Sequence, residues 1–430
     1  MLINQPRVWA TVFVTHRDLR SFVKACLERS HPAPLDVTVD AGEVARACPG
    51  CTCDRDNRRR LLPNEMSPCE WHFQFESLVE PKHSDRIRGL AIDLDGGWTP
   101  VKRERLALGS CQFFTSSFPR LATLRWTNEE TDHANYLFTT PPFPPTLRSL
   151  TYVGTWSTFF ASVNNLTSFV FESDCGPGGT SVEAVRLFML NNQSLESLEF
   201  KYVDFEGDPK GPPVHLPNLK SLSIGIAYKE LSTIIRVPAL SRLSSLRISS
   251  QQHGSLYTLH ATGDGITFFA KCLAREFTET WEDFTGYARP TIHHVRLEDG
   301  PEVDSCGDHV TLLSLLSDVH TLEIGDCYFP FWYPGFMCDL KQLGPQLKII
   351  RFAISDELEP FKGSNEYGDW GGFFLDRIEE LVKYRFEQGR PFSAVERMVV
   401  NRSERTNRQE DYVWRCFYGS HELSQYVRPA

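Results

Sequence analysis

One phrase recurs along this chain and constrains its fold more than any other feature. It is an apolar residue, two residues, a second apolar residue, one residue, and a third apolar residue. The clearest copies are Leu121–Trp126, Leu147–Tyr152, Leu195–Phe200, Leu219–Ile224, Leu243–Ile248 and Leu347–Phe352. Weaker copies start at Ile87, Leu166, Ile292, Val319 and Val395. With 41% apolar residues, such a triplet arises by chance in roughly 7% of windows, so spacing must decide. The copies from 195 to 243 step by 24 and 24, and those from 292 to 347 by 27 and 28. The intervals 243 to 292 and 347 to 395 are 49 and 48, near two periods. Pro119, Pro145, Pro217 and Pro345 each stand two residues before a first apolar position.

A start signal with a period in the twenties reads as leucine-rich repeats. Side chains alternate along a strand, so the fourth and sixth positions of each phrase share a buried face. Helical segments fall between phrases. Ser181–Leu190 follows Thr180 as a candidate N-cap with Glu183 three residues on. Tyr228–Arg236 and Asp308–Leu316 are shorter candidates, and Phe374 to Phe386 carries an apolar stripe that Gly389 ends. The expected class is α/β: a leucine-rich-repeat solenoid, with a curved parallel sheet and outer helices, over residues 86–404. Residues 255–272, with Gly263-Asp264-Gly265 at their centre, predict a β-hairpin inserted in the array. Residues 41–85 are polar and turn-rich and read as a flexible insert. Residues 405–430 read as a cap or tail.

The chain has 430 residues and Lys+Arg 45 against Asp+Glu 55, a net charge of −10. That acidic balance without a basic run argues against nucleic acid as a partner. No stretch approaches the ~20 apolar residues of a membrane helix, so no membrane is expected. Twelve scattered cysteines and no signal-like start predict reduced thiols in the cytoplasm or nucleus. No nucleophile elbow or metalloprotease motif is present, and Gly176–Ser181 lacks a phosphate-binding lysine, so no enzyme and no cofactor are expected. One metal set has knuckle spacing: Cys48, Cys51, Cys69 and His72, a weak zinc candidate because Cys53 is left over. His293-His294 reads as packing or surface, with at most one of the two facing solvent.

The third, fifth and seventh positions project from the opposite, concave face. There the candidate partner-binding residues are Arg125, Glu199, Lys201, Arg247, Arg296, Glu298, Glu323 and Arg351, with Ser or Thr at most third positions. A polar face of mixed charge suits a protein target, and the same charges could instead pair across adjacent strands. Arg296 is expected to be an exposed strand residue whose reversal costs little stability.

Ahead of the array, Asn4-Gln5-Pro6-Arg7-Val8-Trp9 precedes a helix over Leu19–Leu27 and then Leu27-Glu28-Arg29-Ser30, with Pro34-Leu35-Asp36-Val37 beyond. These phrases, with His83–Leu90 and Leu381–Arg385, resemble the mushroom-type fungal F-box/leucine-rich-repeat-like proteins. The resemblance implies a substrate-binding subunit of an F-box type ubiquitin ligase. Residues 1–40 then correspond to the C-terminal remnant of the F-box and its linker. Recruitment of a Skp-type adaptor is expected only where the rest of the F-box is restored. The alternative is a free-standing leucine-rich-repeat interaction scaffold without ligase function.

Overall fold

Each copy of the phrase from Ile87 to Leu347 forms a β-strand with its fourth residue buried, from Leu90 and Leu124 through Leu198, Leu222 and Leu246 to Ile350, none more than 2% exposed. The first residue is buried too, at the turn into the strand. Taking that much Leu, Ile, Phe and Val from water is the main drive for the fold, about 25 cal/mol per Å² of apolar surface. The computed structural model describes residues 5–14, 20–40, 80–93, 118–128, 143–156, 158–173, 179–203, 205–208, 210–212, 214–226, 238–239, 242–249, 291–298, 318–324, 346–355, 370–400 and 414–416. The chain divides into two compact units, Met1–Glu196 and Ser197–Ala430.

In the first unit β1 (Thr11–Val14), β2 (Leu35–Asp40), β3 (Ile87–Asp93), β4 (Thr123–Asn128), β5 (Ser149–Gly154) and β6 (Ser168–Glu172) pair in chain order, all parallel. Residues 1–40 are therefore not a separate unit ahead of the array. Val12, Val14, Leu35, Val37 and Val39 bury the same face as the later strands, and β1 and β2 are the first rungs of the sheet. Helix α1 (Arg20–Arg29) packs on β1 and turns Val23, Cys26 and Leu27 inward. Residues 81–84, within the segment read as an insert, form a helical turn, α2 (Pro81–Ser84), with His83 and Ser84 buried. Helix α3 (Val182–Asn191) is capped by Ser181, whose Oγ accepts a hydrogen bond from the Ala184 N–H at 3.4 Å. Thr180 is not the cap, and Glu183 pairs with Arg186 at 2.7 Å instead of closing a capping box. The helix lies over an aromatic cluster in which Phe169 and Phe188 stand 4.4 Å apart and Tyr152 meets Phe160 edge to face. Asn192, fully buried, donates to the carbonyls of Val163 and Phe188 and accepts from the Leu166 N–H, closing the loops around this core.

In the second unit β7 (Ser197–Val203), β8 (Ser221–Ile226), β9 (Ser245–Ser249), β10 (His294–Glu298), β11 (Thr321–Ile324), β12 (Ile349–Ser355) and β13 (Ala394–Val400) are parallel neighbours. The expected column is present: Leu222 registers with Leu198 on one side and Leu246 on the other. Strand β14 (Trp414–Cys416) pairs antiparallel with β13, which covers a sheet edge that would otherwise expose unpaired backbone. Helix α4 (Trp370–Glu387) ends as its glycine predicts. Gly389 adopts φ 69°, the Arg390 N–H bonds to the Arg385 carbonyl, and the Gly389 N–H bonds to the Phe386 carbonyl. Arg385 is almost completely buried, donating to the Leu347 and Arg390 carbonyls, and burial pulls its pKa down to about 10.

The last phrase is shifted from its expected place. Val395 registers with Ile350, a fourth-position residue, so the copy starts at Phe392 rather than Val395. The interval from Leu347 is then 45 residues. The hairpin expected at 255–272, the helices expected at 228–236 and 308–316, and residues 41–79 lie outside the described residues.

A second feature holds the strands in register. The main-chain oxygens of several second-position residues, among them Ala122, Arg148, Lys220 and Ser244, each accept two N–H groups from the next strand's entry. His293 O takes His320 N at 2.8 Å and Thr321 N at 3.0 Å, and His320 O takes Lys348 N and Ile349 N in the same way. Side-chain hydroxyls join the row where the sequence supplies them, as Ser244 does to the Lys220 carbonyl and Ser393 to the Lys348 carbonyl.

Candidate functional site

The polar face of the second unit carries the fifth-position residues in one row, because strict parallel register places residue five beside residue five. In order the row reads Glu199, Ser223, Arg247, Arg296, Glu323, Arg351 and Glu396. Of the residues expected on this face, Glu199, Lys201, Arg247, Arg296, Glu323 and Arg351 are brought together. Arg125 is exposed on β4 of the first unit, and Glu298 lies on β10 with only its backbone described. Glu396 was not among the expected residues, since the shifted last phrase hid its position. The zinc candidates Cys48, Cys51, Cys69 and His72 lie outside the described residues.

Ser223 explains how the first charges meet. Its small side chain lets Arg247 reach across a whole strand to Glu199, Nη1 to Oε1 at 3.3 Å, while Ser223 Oγ donates to the same oxygen at 3.2 Å. Lys201 comes within 4.0 Å of that carboxylate. At the other end of the row Arg351 bridges two acids, donating from Nη1 to Glu323 at 2.7 Å and from Nε to Glu396 at 2.6 Å. Burial opposes the Arg351 charge, but its bonds to Glu323 and Glu396 outweigh burial and raise its pKa. Arg296 approaches Glu323 at 3.7 Å. Its side chain is only 16% exposed, so it is not the freely exposed strand residue its position suggested. Reversing its charge would set a second carboxylate against Glu323.

Glu323 is the centre of this group and is only 6% exposed in its side chain. Burial by itself would raise its pKa. The His294 imidazole and the Arg351 guanidinium beside it, with Arg296 behind, outweigh burial and hold it at about 2, below the usual 4.5. His294 Nε2 stands 3.2 Å from Glu323 Oε1 and is not aligned as a hydrogen bond. A depressed carboxylate pKa stabilises the fold fully above the unfolded value and loses that contribution as pH falls toward the folded value. The expected window is pH 4.5 down to about 2, and the contribution is on the order of 3 kcal/mol. Glu323→Gln should flatten the decline of thermal stability across that window. A variant whose melting temperature falls as steeply with acid as the parent's would show that Glu323 is not the titrating group.

Between the two ends of the row, Arg247 and Arg296 stand side by side in register. Like charges directly opposite each other in a sheet repel. Each leans toward its own acid, Arg247 to Glu199 and Arg296 to Glu323. The seam between β9 and β10 is thus the one place in this row of described residues where two cations adjoin.

His293 and His294 do not alternate as two strand residues would. His293 belongs to the turn before β10 and is exposed, while His294 opens the strand and is half-exposed on the polar face. Among the described residues no helix is long and apolar enough to cross a membrane.

Comparison of the sequence with protein-family models and with curated proteins returned no match.

Proposed function

We propose that the chain is a non-catalytic protein-recognition module that binds an acidic segment of a protein target on the polar face of its second unit. The Arg247–Arg296 seam carries this reading. Two arginines stand on neighbouring strands, Arg247 about one-third exposed and Arg296 more covered; an arginine fork matches a carboxylate, and arginine is enriched among interface hot spots. A target carboxylate entering the seam would relieve the repulsion between the two cations. The rest of the row supplies selectivity, since its own acids repel a target whose charges fall elsewhere.

In this reading the strands are the inner wall of a leucine-rich-repeat solenoid. The resemblance of the N-terminal phrases further supports the substrate-binding subunit of an F-box type ubiquitin ligase, working in the cytoplasm or nucleus. Arg86 adds a physical reason to treat those phrases together: it reaches from His83–Leu90 to Leu27 and Ser30 of the Leu-Glu-Arg-Ser phrase.

The test of the face is Arg247→Gln in the full chain. Arg247 is about one-third exposed, so its loss should change stability by less than about 1 kcal/mol. Proteins that the parent retains at low salt and releases at high salt should no longer be retained by the variant. Equal retention by Arg247→Gln, or by Arg247→Gln combined with Lys201→Gln, would refute the acidic-target reading. Co-purification with a Skp-type adaptor, from residues 1–430 and from any longer product of the gene, separates the ligase subunit from the free-standing scaffold.

A further inference from the structure

Two histidines from successive strand entries meet on the surface of the second unit, away from the charged row. His293 precedes β10 and His320 precedes β11, and their Nδ1 atoms lie 3.2 Å apart. The rings are edge to face, with centroids 4.9 Å apart and planes at 72°. Both nitrogens also converge on one main-chain oxygen, that of Asp318, 3.3 Å from His293 Nδ1 and 2.8 Å from His320 Nδ1. Both histidines are exposed.

The backbone makes this meeting a built arrangement rather than a chance contact of two long side chains. His320 N is bonded to His293 O, and Lys348 N to His320 O, so the two residues occupy the same position on adjacent rungs. An imidazole has only two side-chain torsions to order, so holding two of them in place costs little entropy.

Three electronegative atoms thus form a triangle with edges of 2.8, 3.2 and 3.3 Å. Hydrogen bonding serves this triangle poorly. Two ring N–H groups cannot point at each other, so hydrogen bonding satisfies the triangle only where both Nδ1 atoms carry a proton and both donate to the two lone pairs of the Asp318 carbonyl, leaving the two nitrogens in contact without a bond between them. A cation serves all three corners. With metal–nitrogen bonds of about 2.0–2.1 Å, two donors stand about 3.3 Å apart on a tetrahedral ion and about 2.9 Å apart on an octahedral one. We infer that His293 Nδ1 and His320 Nδ1, with the Asp318 carbonyl oxygen, form a binding site for a divalent transition cation of the imidazole-preferring class, Zn2+ or Ni2+. No third His, Cys, Asp or Glu side chain of the described residues joins them. Both histidines are exposed, so an ion bound here would be held by two repeats and would complete its coordination with water. The site shares no residue with the Cys48, Cys51, Cys69 and His72 set.

The experiment is calorimetric titration of the full chain with Zn2+ and with Ni2+ at neutral pH, in a Cys48→Ser, Cys69→Ser background that removes the other candidate ligands. This background should bind a single ion per chain and melt at a higher temperature with metal present. Adding His293→Asn or His320→Asn should abolish both the binding heat and the metal-induced shift while leaving the metal-free melting temperature unchanged. Lowering the pH should release the ion, because a ligating imidazole must be neutral. If the background binds neither metal, or if the two asparagine variants bind as tightly as the background, the histidines are a hydrogen-bonded pair only and the inference is wrong.

Discussion

Leu222→Ala is expected to destabilise the second unit by ~2–5 kcal/mol. Leu222 is 2% exposed and sits in register between Leu198 and Leu246, themselves 0% and 2% exposed. Parallel strands are held at a fixed spacing by their ladder bonds, so the neighbours cannot close over a missing isobutyl group. The loss therefore combines the transfer free energy of the deleted carbons with the cost of the cavity. Chemical denaturation followed by tryptophan fluorescence measures it. Ser221→Ala, one residue earlier on the polar face, is the control and should cost less than about 0.5 kcal/mol. A Leu222→Ala loss under about 1 kcal/mol would mean that this column is not the core of the unit.

Arg86→Ala is expected to cost the first unit ~3–5 kcal/mol, because it orphans several buried acceptors at once. Arg86 is 7% exposed. Its Nε donates to the Ala33 carbonyl at 3.1 Å, and Nη1 donates to the Leu27 carbonyl at 3.1 Å. Nη2 donates to Ser30 Oγ at 2.7 Å and again to the Ala33 carbonyl at 2.9 Å. Ser30 Oγ in turn donates to the Leu27 carbonyl. The guanidinium thus ties the end of α1 and the approach to β2 to the turn before β3. Burial lowers its pKa, and neutral acceptors alone hold the charge in place. Arg86→Lys should recover only part of the loss, since one ammonium cannot reproduce the planar fork. Hydrogen exchange at the amides of residues 30–36 should accelerate in both variants. Unchanged exchange there in Arg86→Ala would show that the carbonyls find water without structural cost.

How much of this was legible in advance depends on which physical rule governed each part. Spacing located the strands of Leu121–Trp126, Leu195–Phe200 and Leu219–Ile224, because burial of alternate residues is written directly in the apolar pattern. The row of fifth-position charges followed, since register in a parallel sheet converts equal phrase positions into neighbours. The stop of α4 at Gly389 was also legible, because a left-handed C-cap has a residue preference of its own.

Other features were hidden for identifiable reasons. The strand at Thr11–Val14 does carry the phrase, as Trp9, Val12 and Val14, but it stands apart from the evenly spaced copies, and its pairing with β2 shows its place. The last phrase was misplaced by three residues because Val395 can fill either a first or a fourth position in an apolar triplet, and only pairing with Ile350 chooses. Glu396 was lost with it. Buried Arg86, Asn192 and Arg385 look like surface residues in the sequence, where nothing tells that distant carbonyls wait for them. Their burial depends on the chain returning to hydrogen-bond distance of itself, 2.9–3.1 Å, after tens of residues, which local pattern does not encode.

The sequence by itself determined the period, the buried column and the charged face, because these rest on alternation and on apolar burial, both local rules. The tertiary structure alone decided which charges meet. It set Arg247 in register with Arg296 while its fork reaches Glu199, enclosed Glu323 between His294 and Arg351, and brought His293 to 3.2 Å from His320. Those outcomes follow from strand register and the lengths of the intervening connections, which are known only once the chain has folded.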